Sequence, residues 1–199
     1  MKNHLHFIAI PTLAITVIGA FNIGDLRTEM FSWLMGDQRE ETVSIQETET
    51  VLPANWISIP SLQTVEAPII FVQEADEEVF QNALAGGVVH FPGTAKIGEY
   101  GNAYIFGHAS DFLWVKGDYK RVFEPLYDID IGAEILVTNE SGQVFSYTVM
   151  ETLVIEPTDF HVLDQSNNEK RLLTLQTSYP RNSAAQRFIV RAELFEESD

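Results

Sequence analysis

Ser178 sits in the run Leu173-Thr174-Leu175-Gln176-Thr177-Ser178-Tyr179-Pro180, and Arg187 follows that serine nine residues later. Upstream, His108 sits inside Gly107-His108-Ala109-Ser110. A hydroxyl, an imidazole and a guanidinium are the side-chain types that acyl transfer at a peptide carbonyl draws on. They offer an attacking atom, a proton carrier and donors for charge developing on oxygen. Arg187 holds its N–H donors on a planar fork, which suits a carbonyl oxygen or an oxyanion better than a lysine would. An imidazole, with a reference pKa of about 6.5, gives and takes a proton at neutral pH. Each residue also has an ordinary alternative. A lone histidine at a strand end is usually packed or solvated, and an arginine in an acidic chain finds a carboxylate easily. No Gly-x-Ser-x-Gly elbow surrounds Ser178.

Three blocks in order carry a resemblance. Gly87-Val88-Val89-His90-Phe91-Pro92-Gly93-Thr94, Gly101-Asn102-Ala103-Tyr104-Ile105-Phe106-Gly107-His108-Ala109-Ser110, and the stretch from Leu173 to Arg187 resemble the sortase family, over a span from Ile57 to Leu194. In that family a strand reading Thr-Leu-x-Thr-Cys ends at the cysteine that attacks a sorting-signal peptide, and the next strand supplies an arginine. Here the cysteine position reads Ser178. The resemblance implies that His108 protonates the departing amine and then deprotonates the incoming one. It implies that Arg187 holds the substrate carbonyl or oxyanion and that Thr177 lines the oxyanion site. The implied partners are a sorting-signal peptide of a secreted surface protein and an amine acceptor, either a wall precursor or a pilin. No cofactor is implied.

The serine sets the expected rate. A thiol, with an unperturbed pKa of about 8.5, is intrinsically nucleophilic, whereas a hydroxyl needs a base bonded tightly to it. Serine hydrolases orient that base with a carboxylate. Loss of a nucleophile costs on the order of 10⁶ in turnover in a serine protease, so the expectation is a transpeptidase scaffold that binds substrate and is very slow or inactive. Two other readings stand beside it: a non-catalytic peptide-binding or assembly module at the cell surface, and a slow serine peptidase or esterase using Ser178 and His108.

The segments that must position these residues read as short strands between Gly, Pro, Asn and Asp punctuation. They are Trp56–Ile59, Pro68–Val72, Val88–Phe91, Ala103–Phe106, Glu134–Thr138, Val144–Ile155, Arg171–Thr177 and Phe188–Phe195. Asp76–Leu84 has the helical spacing of Val79, Phe80 and Leu84, and Ser110–Asp130 reads as a loop with a short helix, carrying Trp114, Lys116, Lys120 and Arg121. Pattern alone allows a sandwich or a barrel. The resemblance implies a mainly β fold, a closed barrel of about eight strands with one or two short helices. His90 reads as structural or as part of a groove wall, and His161 has no partner motif.

Composition excludes several classes. The 199-residue chain has no cysteine, hence no disulfide framework and no cysteine-based zinc or redox site. A formal charge of −17 without basic clusters argues against nucleic acid. Asp128-Ile129-Asp130 and the Glu74–Glu78 cluster supply carboxylates but no calcium-loop pattern, so no metal is expected. Val51-Leu52-Pro53-Ala54 echoes a Leu-Pro sorting signal but lacks the following Thr-Gly.

From Leu5 to Ile23 the chain is almost wholly apolar, and about 20 residues of helix cross a bilayer. A retained anchor is expected over a cleaved signal, because Ile18 precedes Gly19-Ala20 where a small residue would be needed. The expected organisation is a transmembrane anchor region over 1–35, an acidic stalk over 36–54 with Glu40, Glu41, Glu47 and Glu49, and the barrel domain over 55–199. The expected location is the cell membrane, single-pass, with the domain extracytoplasmic.

Overall fold

The computed structural model describes residues 51–110, 117–166 and 169–194. The anchor region, nearly all of the stalk, and Trp114 and Lys116 lie outside the described residues. Among those described, no helix is long and apolar enough to cross a membrane.

Eight described strands close into a barrel: β1 (Trp56–Ser58), β2 (Glu66–Phe71), β3 (Val88–His90), β4 (Gly101–Phe106), β5 (Glu134–Thr138), β6 (Val144–Ile155), β7 (Arg171–Tyr179) and β8 (Gln186–Leu194). Their order around the barrel is β1-β2-β3-β4-β7-β8-β6-β5. Two neighbouring pairs, β2 with β3 and β4 with β7, are parallel, and parallel strands need a crossover connection. The first crossover carries the helix α1 (Glu77–Leu84). Asp76 caps it, its carboxylate accepting from the main-chain N–H of Glu78 at 2.9 Å and of Val79 at 3.1 Å. Glu77 and Glu78 lie in the first turn, where negative charge suits the helix dipole.

Alternation along the strands makes two faces. Ala103, Ile105, Leu173, Leu175, Val190 and Ala192 turn inward and are at most 1% exposed. Tyr104, Ile155, Val162 and Ile189 form a second buried cluster on the outside of the barrel, with Phe91, Phe106, Leu153 and Leu163 packed against it.

The connection from β6 to β7 is tied across the outside of the sheet. Asn102 Nδ2 donates to the Val162 carbonyl at 2.8 Å, and Gln165 Nε2 donates to the Asn102 carbonyl at 3.0 Å. Asn102 Oδ1 accepts from the buried Thr174 hydroxyl at 2.8 Å.

The expected strands are all present, with shifted ends. β2 begins at Glu66 rather than Pro68, and β1 stops at Ser58 because Pro60 opens a 3-10 turn, Pro60–Leu62. Further 3-10 turns span Glu124–Asp128 and His161–Leu163, so the loop after Ser110 does contain a short helical piece. The shift that matters for the site is at the hairpin: β7 runs on to Tyr179 and β8 starts at Gln186, so both Ser178 and Arg187 lie inside paired strands.

Candidate active site

Three strands bring the three chemistry-bearing residues into one row. β7 and β8 pair with Ser178 opposite Arg187, and directly opposed residues of antiparallel strands have Cβ atoms about 4.5–5.5 Å apart. β4 runs parallel to β7 with Phe106 beside Gln176. The Gly107 N–H donates to the Gln176 carbonyl at 3.1 Å, which continues the ladder past the strand end. His108 therefore comes level with Ser178. All three line one groove of about 780 Å³ on the outer face of β4, β7 and β8.

Gly107 sets the approach of His108. A Cβ there would lie 2.8 Å from the Phe123 ring and 3.0 Å from Val88, so the close packing of β4 on its neighbours requires glycine. The next residue is held by its main chain, the His108 carbonyl accepting from the Phe123 N–H at 2.9 Å. Burial lowers the His108 pKa below the ordinary histidine value. Among the described residues its ring has no hydrogen-bond partner, carboxylates included.

Thr177 is 2% exposed, and its hydroxyl donates to the Gly107 carbonyl at 2.9 Å. Alternation turns its side chain to the opposite face of β7 from that of Ser178. That bond joins the strand bearing Ser178 to the strand end bearing His108. The Ser178 carbonyl accepts from the Tyr127 hydroxyl. Tyr127 itself packs edge-on against Tyr179 and Phe188, with ring centroids at 5.8 and 5.4 Å, and the Arg181 guanidinium lies 4.8 Å over its ring.

Arg187 differs from other arginines of this acidic chain. Arg121, Arg181 and Arg191 all pair with carboxylates. Arg187 Nη1 donates to the main-chain carbonyls of Ala184 at 2.9 Å and Gln186 at 3.0 Å, and among the described residues it has no carboxylate partner. Its charge is left for the groove.

The walls of the groove are aromatic and apolar. Phe80 of α1 meets Phe106 edge-on at 5.0 Å and Phe91 at a tilt at 5.7 Å, and Ile155 and Val162, of the cluster on which Phe91 and Phe106 pack, also line the groove. Tyr104 lies on the floor and donates its hydroxyl to Gln176 Oε1 at 2.5 Å. Burial pushes the Tyr104 pKa well up, against a smaller opposing pull from the Arg187 charge, so the phenol stays protonated. Glu156, Asp159 and the exposed Phe160 edge the opening.

The other described histidines lie off this row. His90 is buried, bonded through Nε2 to the Ala95 carbonyl at 2.8 Å and stacked on Phe71 at 4.8 Å. His161 is exposed and pairs with Asp159 at 2.5 Å, a partner the sequence pattern did not offer. No group of three or more His, Cys, Asp or Glu among the described residues is placed to hold a metal ion. Sequence reasoning missed Tyr104, Gln176 and Tyr127. Gln176, the variable position of the Thr-Leu-x-Thr run, was the one with a signal that could have been followed.

The arrangement can bind an extended peptide against an apolar wall. It can present Arg187 to a carbonyl oxygen and a proton carrier to the amine on the other side of Ser178.

Comparison with known proteins agrees. The sortase domain family model matches residues 57–195. Among solved structures, the chain is similar to a sortase D5 transpeptidase of Clostridium perfringens, with 28% identity over 71% of this chain and 78% of that one, and a TM-score of 0.57. It is similar to sortase A of Corynebacterium diphtheriae in a lid-mutant form, with 26% identity over 72% and 70% and a TM-score of 0.58. Sortase C1 of Streptococcus suis shares the fold, with 24% identity over 73% and 74% and a TM-score of 0.59. No curated protein matches the chain. With its barrel, the row of His108, Ser178 and Arg187, and a family match spanning most of its length, this chain belongs to the sortase family.

Proposed function

We propose that this chain is a sortase-type transpeptidase scaffold that binds a sorting-signal peptide in the groove over β4, β7 and β8, and that Ser178 leaves it very slow or inactive. One observation carries the reading: Arg187, without a carboxylate partner among the described residues, stands opposite Ser178 in register and lines the same groove as His108.

In this reading Arg187 donates to the oxygen of the scissile carbonyl, where the N–H groups of Nε and Nη2, not used by the Ala184 and Gln186 carbonyls, stabilise the charge that develops there. His108 gives a proton to the departing amine and takes one from the incoming amine. Thr177 acts at the oxyanion site through its position in the ladder, its hydroxyl bond to Gly107 holding the ends of β4 and β7 together. With cysteine at position 178, the sulfur would attack the carbonyl, form an acyl thioester as the first amine leaves, and release the acyl group to the second. With serine, His108 has no carboxylate behind it among the described residues to orient it as a base, which speaks against a serine-peptidase activity.

The apolar Leu5–Ile23 run anchors the chain in the membrane in this reading, residues 36–54 form a stalk, and the barrel domain faces outward to secreted surface proteins and an amine acceptor. The test is intact-mass analysis of the soluble domain, as it stands and as Ser178→Cys, with a pooled Leu-Pro-type peptide library and an amine acceptor. An acyl adduct and amine-linked product from the cysteine form alone is expected. Peptide binding without reaction in either form would instead make it a binding or assembly module, and turnover by the serine form would overturn the expected inactivity.

A further inference from the structure

Gln176 lies one step along β7 from Ser178 on the same face, about 6.6 Å away at strand spacing. Its two amide ends are in different situations. Oε1 accepts from the Tyr104 hydroxyl at 2.5 Å, while Nε2 has no hydrogen-bond partner among the described residues and belongs to a side chain that lines the groove. The Tyr104 hydroxyl thus holds the amide by its oxygen and leaves its N–H donors to the groove.

An extended peptide repeats its geometry in the same step. Carbonyls on one side of an extended chain recur every second residue, about 6.6 Å apart. A peptide lying along β7 with its scissile carbonyl at Ser178 brings a second carbonyl to Gln176. The direction follows from the groove. Its apolar end, at Tyr104, Val162 and Leu163, lies down β7 from Ser178. The acyl half must stay bound while the amine half leaves, so the acyl half occupies that end.

We propose that Gln176, held by Tyr104, is a substrate-positioning residue whose Nε2–H donates to the main-chain carbonyl two residues N-terminal to the scissile bond. This rests on the peptide-binding reading above and adds a contact that reads no side chain of the peptide. It fixes the register of the bound chain, placing the scissile carbonyl over position 178 and within reach of Arg187.

The test measures binding rather than turnover, using the serine-bearing domain as it stands and the tightest binder from a pooled Leu-Pro-type library. Gln176→Glu keeps an oxygen for the Tyr104 hydroxyl but removes the donor. Tyr104→Phe keeps the donor but frees the amide. A matching peptide has the predicted carbonyl reduced to a methylene. The expected result is that Gln176→Glu and the reduced peptide each weaken binding about three- to tenfold, the worth of one hydrogen bond. Combined, they should weaken it little further, and Tyr104→Phe should cause a smaller loss in the same direction. Unchanged binding by a folded Gln176→Glu domain, or equal losses from the reduced peptide in parent and variant, overturns the role of Gln176 and leaves the peptide-binding reading standing. If no peptide binds the parent, both fall together.

Discussion

The two faces of the β4–β7–β8 sheet are built from the same strands and do opposite work. Facing inward, Leu173, Leu175, Val190 and Ala192 are at most 1% exposed and hold the barrel together. Facing outward, Gln176, Ser178 and Arg187 are only partly buried and line the groove. A step of one residue along β7 separates stability from chemistry, because strand side chains alternate with a period of two. In a β-barrel site, the residues that can be changed without unfolding the protein are therefore interleaved with those that cannot.

The largest effect that tests this division is on the outer face. Ser178→Cys should raise acyl-enzyme formation by several orders of magnitude, a nucleophile being worth on the order of 10⁶ in turnover, with the melting temperature little changed. In that active background Arg187→Ala should lower kcat about 10²- to 10³-fold, the scale of one lost oxyanion donor, read by single-turnover mass analysis. On the inner face the prediction reverses. Leu175→Ala should destabilise the domain by about 2–5 kcal/mol, since it opens a cavity at a fully buried site, while the fraction that remains folded still binds peptide. A stable Leu175→Ala protein would break the comparison.

Smaller effects sharpen it. Tyr127→Phe removes the hydroxyl that the Ser178 carbonyl accepts from and should cost about 1 kcal/mol in denaturant unfolding. Its effect on rate in the cysteine background should exceed what that loss of stability explains. Acid should act through buried His90 and half-buried His108. Burial lowers the pKa of both His90 and His108, so between those lowered values and about 6.5 the unfolded chain binds more protons than the folded one. Stability is then full above about pH 6.5 and falls as pH drops through that window. His108→Gln should flatten the fall, which chemical denaturation across a pH series would detect.

Much of the inner face was legible in the sequence. On β7 Leu173 and Leu175 alternate with Thr174 and Gln176, and on β8 Val190 and Ala192 with Arg191 and Glu193, whereas Ile189 breaks the pattern before them and is buried on the other face. The row of His108, Ser178 and Arg187 was legible only through its resemblance to a family, since no local rule relates residues 108 and 178. The partners around that row were not legible. Tyr104 reaches Gln176 across 72 positions, and Tyr127 reaches Ser178 across 51. Such contacts follow from strand order, which a local pattern does not encode. The hairpin ends were misjudged for a related reason. Pro180 after Tyr179 reads as a break and Gln186 is a weak strand signal, but the pairing of Tyr179 with Gln186 extends both strands.

The parallel pairing of β4 with β7 bears on how the protein comes into being. The bond from Thr177 to Gly107 spans 70 positions and the one from Trp56 to Thr138 spans 82. Folds dominated by such distant pairings have high contact order and assemble in milliseconds to seconds, because loop-closure entropy is lost before the contacts that offset it can form. A nascent chain that has emerged only through β6 carries His108 without Ser178 or Arg187, and Tyr104 without Gln176. The groove forms only once the last two strands have joined β4, so the capture of a peptide would report completed folding.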